Sequence, residues 1–122
     1  VSSCGFTRFH KYYDGNLMGW TSARYMPLIA SQYHNHPDEV PFDFPEIVAA
    51  FAPRPFLACS PTRDGNFEVS GVRDTIAAAT PIYKLFHAEK GLRAEYPDCE
   101  HDFPPATREV AYKFLADSLA KP

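Results

Sequence analysis

No apolar run in this sequence approaches the roughly 20 residues that a membrane-spanning helix requires. The opening Val1-Ser2-Ser3-Cys4 also has no basic flank of the kind that precedes a secretory apolar segment, so no membrane partner is expected. The absence of an initiator Met leads us to expect the natural N-terminus upstream of Val1. Cysteine is scarce: Cys4, Cys59 and Cys99 are odd in number, scattered and without a C-x-x-C pair. That spacing excludes a disulfide framework and a zinc ribbon, leaves the compartment unknown, and makes buried, inert thiols the expected state of all three. Charge of one sign is lacking too. The net charge of -3 is spread over mixed acidic and basic residues, with no basic stripe to neutralise phosphates, so nucleic acid is not an expected partner. Low-complexity tracts and internal repeats are absent.

What the chain has is apolar and aromatic mass, 45% hydrophobic and 15% aromatic residues in 122, enough for the core of one small domain. Residues 1–5 read as a short buried strand, Val1 to Cys4, closed by Gly5. Residues 6–52 form an excursion or cap. Its first part, to Phe44, is aromatic and proline-punctuated, with at most one helix around Ala23 to Gln32. Asp43 then reads as the N-cap of a short helix, with Pro45 in the first turn and Glu46 returning the hydrogen bond; Pro53 ends it. From 53 to 122 the pattern is regular. Phe56 to Ser60, bounded by prolines, reads as a strand buried on both faces. Val72, Ile76, Ala79, Tyr83 and Phe86 mark one helical face, which Pro81 is expected to kink or break. Leu92 to Tyr96 reads as a third strand. A last helix runs from about Pro105 to Leu119, with Val110, Phe114, Leu115 and Leu119 inward.

This order predicts an α/β architecture: about three parallel strands with right-handed crossovers and flanking helices. So small a sheet leaves two edges, and the strands at Val1 and Phe56 look too apolar for water. More sheet is expected, from an N-terminal half of the same protein or from a homo-oligomer through the exposed edge.

In open parallel sheets, chemistry gathers beyond the carboxyl ends of the strands. Two segments fall there: Pro61 to Phe67 after the second strand, and Pro97 to Pro104 after the third. They offer Asp64 and His101. In the functional reading the Asp64 carboxylate fixes the His101 tautomer while the other imidazole nitrogen takes a proton from a nucleophile. In the plain structural alternative Asp64 forms a turn before Gly65 and His101 packs or caps before the last helix. The joint order of strand, Asp loop, helix, strand, His loop and helix is the second half of a Ser, Asp, His chain order.

The chain resembles the C-terminal region of α/β-hydrolases of the dienelactone hydrolase, acetyl xylan esterase and prolyl oligopeptidase-like group. The resemblance covers nearly its whole length. Its most specific parts are Phe42-Asp43-Phe44-Pro45-Glu46-Ile47-Val48-Ala49-Ala50-Phe51-Ala52-Pro53-Arg54-Pro55, similar to the "ALAPRP" lead-in of bacterial esterase-like proteins, and Tyr96 through His101 to Pro104. It implies a partial α/β-hydrolase fold, the C-terminal half of the sheet only. It also implies Asp64 as catalytic acid, His101 as catalytic base, and Val1 to Cys4 as the strand following the nucleophile-bearing helix. The departure is the nucleophile. The family's G-x-S-x-G elbow has no match among the 122 residues, so a serine upstream of Val1 is expected to supply it. Cys4 and Cys59, in apolar strand contexts, are expected to be inert.

The resemblance implies the C-terminal part of a serine hydrolase acting on small-molecule carboxylic esters, acetyl-esterase-like, with the fragment alone inactive. The alternatives are a prolyl oligopeptidase-like serine peptidase and a non-catalytic hydrolase-like domain that binds a partner or self-associates. No cofactor and no metal is assigned: the His34-Asn35-His36-Pro37-Asp38-Glu39 cluster is expected to be a solvated loop, a metal module using His34 and His36 being the weaker reading. Substrate-binding residues are not identifiable from sequence. The excursion's aromatics Phe9, Tyr12, Tyr13, Trp20, Tyr25 and Tyr33 fit a pocket wall or ordinary packing equally well.

Overall fold

Residues 1–120 are described by a computed structural model. One sheet holds three parallel strands in the order β1-β2-β3: β1 (Ser2–Ser3), β2 (Phe56–Cys59) and β3 (Leu92–Glu95). The helices are α1 (Leu28–Ser31), α2 (Phe44–Ala49), α3 (Val69–Leu85) and α4 (Pro105–Leu119), joined by loops and short 3-10 turns.

β2 is central because all four of its side chains are apolar and all four are buried. Phe56 and Ala58 face one side, packing with Phe6, Val48 of α2, and Val72, Ala79 and Tyr83 of α3. Leu57 and Cys59 face the other, against Ala111 and Phe114 of α4. Helices on both faces of a parallel sheet are what a strand without polar alternation requires. Each fully buried Leu or Phe here contributes about 1.5–3 kcal/mol.

α2 begins as its residues dictate. The Asp43 carboxylate accepts the Phe44 N–H at 2.7 Å, and Glu46 accepts the Asp43 N–H at 2.9 Å, completing a capping box with Pro45 in the first turn. The same Asp43 carboxylate also accepts the Phe9 N–H at 3.1 Å and pairs with Arg8 at 3.2 Å, tying the start of the excursion to this helix. The excursion has its own apolar centre of Phe9, Leu17, Ile29 and Val40, flanked by Tyr12, Trp20, Met26, Tyr33 and Phe44. Packing by its own side chains is what lets so long an irregular segment hold a shape.

Several expectations are corrected. The first strand is not buried: β1 is an edge strand of two half-buried residues, and Val1 is 45% exposed. Among the described residues it pairs on one side only, with Ala58 and Cys59. The helix expected around Ala23 to Gln32 shrinks to the single turn Leu28–Ser31, since Pro27 disfavours helical backbone at Met26 and removes a donor. α3 runs through Pro81 without a break. The carbonyl that Pro81 leaves without its N–H belongs to Ala77, an exposed residue, and the neighbouring Ile76 carbonyl accepts the Thr80 hydroxyl at 2.7 Å. Phe86 lies past the helix end and is exposed. α4 has the expected bounds, but of its four expected inward residues Phe114 is buried, Val110 is half-buried, and Leu115 and Leu119 are exposed, the latter 81%. A sheet this narrow offers α4 room for one stripe, which Thr107, Ala111 and Phe114 fill.

Candidate active site

Three polar side chains converge beyond the carboxyl ends of the three strands. β2 and β3 run in parallel with Cys59 opposite Glu95, and their loops continue that pairing: Ser60 N–H donates to Glu95 O at 2.9 Å, Thr62 N–H to Pro97 O at 2.9 Å, and Arg63 N–H to Cys99 O at 3.1 Å. Arg63 adds a second tie through its guanidinium, 2.8 Å from the Asp98 carboxylate. The two loops are therefore held side by side up to the residue before Asp64, and the next positions bring Asp64 to His101.

His101 Nδ1 lies 3.0 and 3.1 Å from the two Asp64 carboxylate oxygens. The Asp64 side chain is fully buried while that of His101 is 46% exposed. Asp64 Oδ1 also accepts the backbone N–H groups of Asn66 at 2.8 Å and Phe67 at 3.0 Å. Asp64 thus shapes the turn with one oxygen while both of its carboxylate oxygens face the imidazole. With the carboxylate oxygens as acceptors, Nδ1–H is the donor of this contact. Nε2 is left as the free nitrogen. An opening of about 430 Å³ beside it is lined by Arg63, Gly65, Asn66, Glu100 and His101.

Cys4, expected from the sequence to be an inert buried thiol, lies beside this pair. It directly follows β1, its N–H donates to Cys59 O at 3.0 Å, and its backbone takes the left-handed φ of +47°. For a non-glycine residue that conformation costs about 1–3 kcal/mol and clusters at functional sites. The turn carries Sγ out of the strand, to 3.2 Å from the Asp102 carbonyl in the His101 loop. One ligand-type atom each from Cys4, Asp64 and His101 lies within 4.8 Å of the others. Its expected burial is corrected accordingly: Cys59 is buried, whereas Cys4 and Cys99 are only partly so. Burial still pushes the Cys4 thiol above its ordinary ionisation range, with the Asp64 charge adding to the effect. The strand-end rule, applied to the first strand as it was to the other two, would have placed Cys4 beside the two loops rather than within the strand.

The aromatics divide. Phe9 is core, whereas Tyr12 and Trp20 each reach the Phe67 ring at 5.7 Å, and Phe67 lies 5.9 Å from the His101 ring. Tyr13 donates from its hydroxyl to Asn66 at 2.8 Å. The excursion therefore docks on the loop that carries Asp64, at Asn66 and Phe67. The imidazoles of His34, His36 and His10 do not converge on one point: His34 faces Glu39 at 2.7 Å, and His10 and His36 face Asp38 at 2.8 and 3.9 Å, all exposed.

No protein-family model and no curated protein matches the chain. Among solved structures it is similar to Methylesterase BT1017, at 30% identity and a TM-score of 0.52. That match covers 62% of this chain and 17% of the methylesterase. With the parallel sheet and its flanking helices, the likeness establishes a partial α/β, hydrolase-like fold.

Proposed function

We propose that the chain is the acid-and-base part of an ester hydrolase, in which Asp64 orients His101 and His101 moves the proton. The observation that carries this reading is the contact of 3.0 Å between the buried Asp64 carboxylate and Nδ1 of a half-exposed imidazole. Asp64 accepts the Nδ1–H bond, which fixes the tautomer with Nε2 unprotonated and stabilises the imidazolium when it forms. Nε2 then takes the proton of an attacking hydroxyl, returns it to the leaving alcohol, and later activates the water that releases the acid. The likeness to a methylesterase favours a carboxylic ester over a peptide bond. The nucleophile of this reading is a serine in a segment preceding Val1, since the 122 residues hold no G-x-S-x-G turn.

The test is the complete protein assayed on p-nitrophenyl acetate and on a proline-containing peptide. Ester turnover that His101→Ala reduces by about 10³-fold or more, with little peptide cleavage, is the expected result. Equal turnover in wild type and variant overturns the assignment of His101; preferential peptide cleavage moves the protein to the peptidase alternative.

A further inference from the structure

We propose that Cys4, Asp64 and His101 form a binding site for a thiophilic divalent cation of the zinc class, and that occupancy switches the site off. The three side chains come from the ends of three successive strands, each offering one ligand atom, and those atoms lie within 4.8 Å of one another. In a tetrahedral site with bonds of about 2.0–2.1 Å to nitrogen and oxygen and about 2.3 Å to sulfur, neighbouring ligand atoms sit about 3.3–3.6 Å apart. Asp64 Oδ2 and His101 Nδ1, at 3.0 Å, need only a small separation to accept a shared ion. Cys4 Sγ has at most about 1.5 Å to travel, within reach of a rotation about its Cα–Cβ bond.

The surroundings suit the ion. Asp64 Oδ1 is held by two backbone N–H groups, so the carboxylate stays oriented while Oδ2 turns to the metal, as supporting hydrogen bonds do for ligands generally. One thiolate, one carboxylate and one neutral imidazole neutralise a divalent charge, and three protein ligands leave a fourth position for water. A thiolate in the set selects zinc-like ions over calcium and magnesium. The partly exposed imidazole provides entry from the adjoining opening. Protons balance simply: Cys4 releases its thiol proton to solvent, and the His101 proton shifts from Nδ1 to Nε2 as the ion takes Nδ1.

That tautomer shift is the switch. With its proton on Nε2, His101 has no lone pair to accept one from a nucleophile, and the Asp64 bond that held the active tautomer is gone. This consequence rests on the ester-hydrolase reading; the binding does not. Cobalt(II) therefore serves as the primary probe, because its thiolate charge-transfer band reports sulfur ligation without any turnover. Stoichiometric titration of the protein is expected to raise that band at one equivalent, and zinc to abolish it by displacement. Cys4→Ser and His101→Ala, with folding checked by circular dichroism, should remove the band or weaken binding more than about tenfold, while Cys99→Ser keeps it. A band that survives Cys4→Ser, a band lost only in Cys99→Ser, or no band at all overturns the site. In the complete protein, zinc inhibition of esterase activity that a chelator reverses and Cys4→Ser relieves confirms the switch. Cobalt binding with zinc-insensitive turnover overturns the switch alone, and a protein without turnover overturns the hydrolase reading while leaving the bound ion in place.

Discussion

Replacing the Asp64 carboxylate with an amide changes charge but barely changes shape. In Asp64→Asn the amide oxygen still accepts the Asn66 and Phe67 N–H groups, so the turn persists, while the carboxylate that orients Nδ1–H is lost. We expect kcat of the complete protein to fall by about 10⁴-fold with KM little changed, measured by steady-state kinetics. At the same scale, burial pushes the Cys59 thiol from 9.0 up to about 11. The folded chain keeps its proton after the unfolded chain has shed one, so stability is unaffected below pH 9 and falls between about pH 9 and 11. Urea midpoints taken across that range should drop for wild type and drop less for Cys59→Ala. A slope identical in the two proteins would dissociate Cys59 from the alkaline loss, leaving it to the buried tyrosines such as Tyr83, also raised by burial.

Two elements depend on single residues at their starts. Asp43 caps α2 and also satisfies the Phe9 N–H, so Asp43→Ala removes a cap and strands a donor, at a cost of about 2–4 kcal/mol in chemical denaturation. Gly71, in the first turn of α3, lets the helix approach the chain at Thr7 and Arg8. A Cβ there would meet the Thr7 hydroxyl and lie 2.8 Å from the Arg8 backbone nitrogen. Gly71→Ala is therefore destabilising despite its gain in helix propensity, by about 1–3 kcal/mol, and a neutral or raised melting temperature would refute the close approach. Elements whose signals are local were legible: the Asp43-Phe44-Pro45-Glu46 start, the proline-bounded Phe56 to Cys59, and the bounds of α4. Of the kink or break expected at Pro81, the break is absent, because a proline costs one hydrogen bond and a helix packed along its length can bear that loss.

At the scale of the 122-residue chain, the side of β1 that is unpaired among the described residues and the exposed Leu85, Phe86 and Leu119 predict association. Light scattering on the isolated chain is expected to show a mass rising with concentration. A monomer at every concentration would mean that these surfaces are tolerated in water.

The amino-acid order by itself determined the kinds of element and their sequence, since apolar period, caps and prolines act over one or two turns of chain. It also marked Asp64 and His101, because strand-end loops are recognisable from the strands that precede them. Only the tertiary structure decided what those loops meet. Strand order put β1 beside β2, and the left-handed turn at Cys4 carried its thiol to the same point. Sheet width determined which α4 residues were covered. Pairing between strands joins residues distant in the chain, and no local pattern encodes which atoms such a pairing brings within a few ångströms.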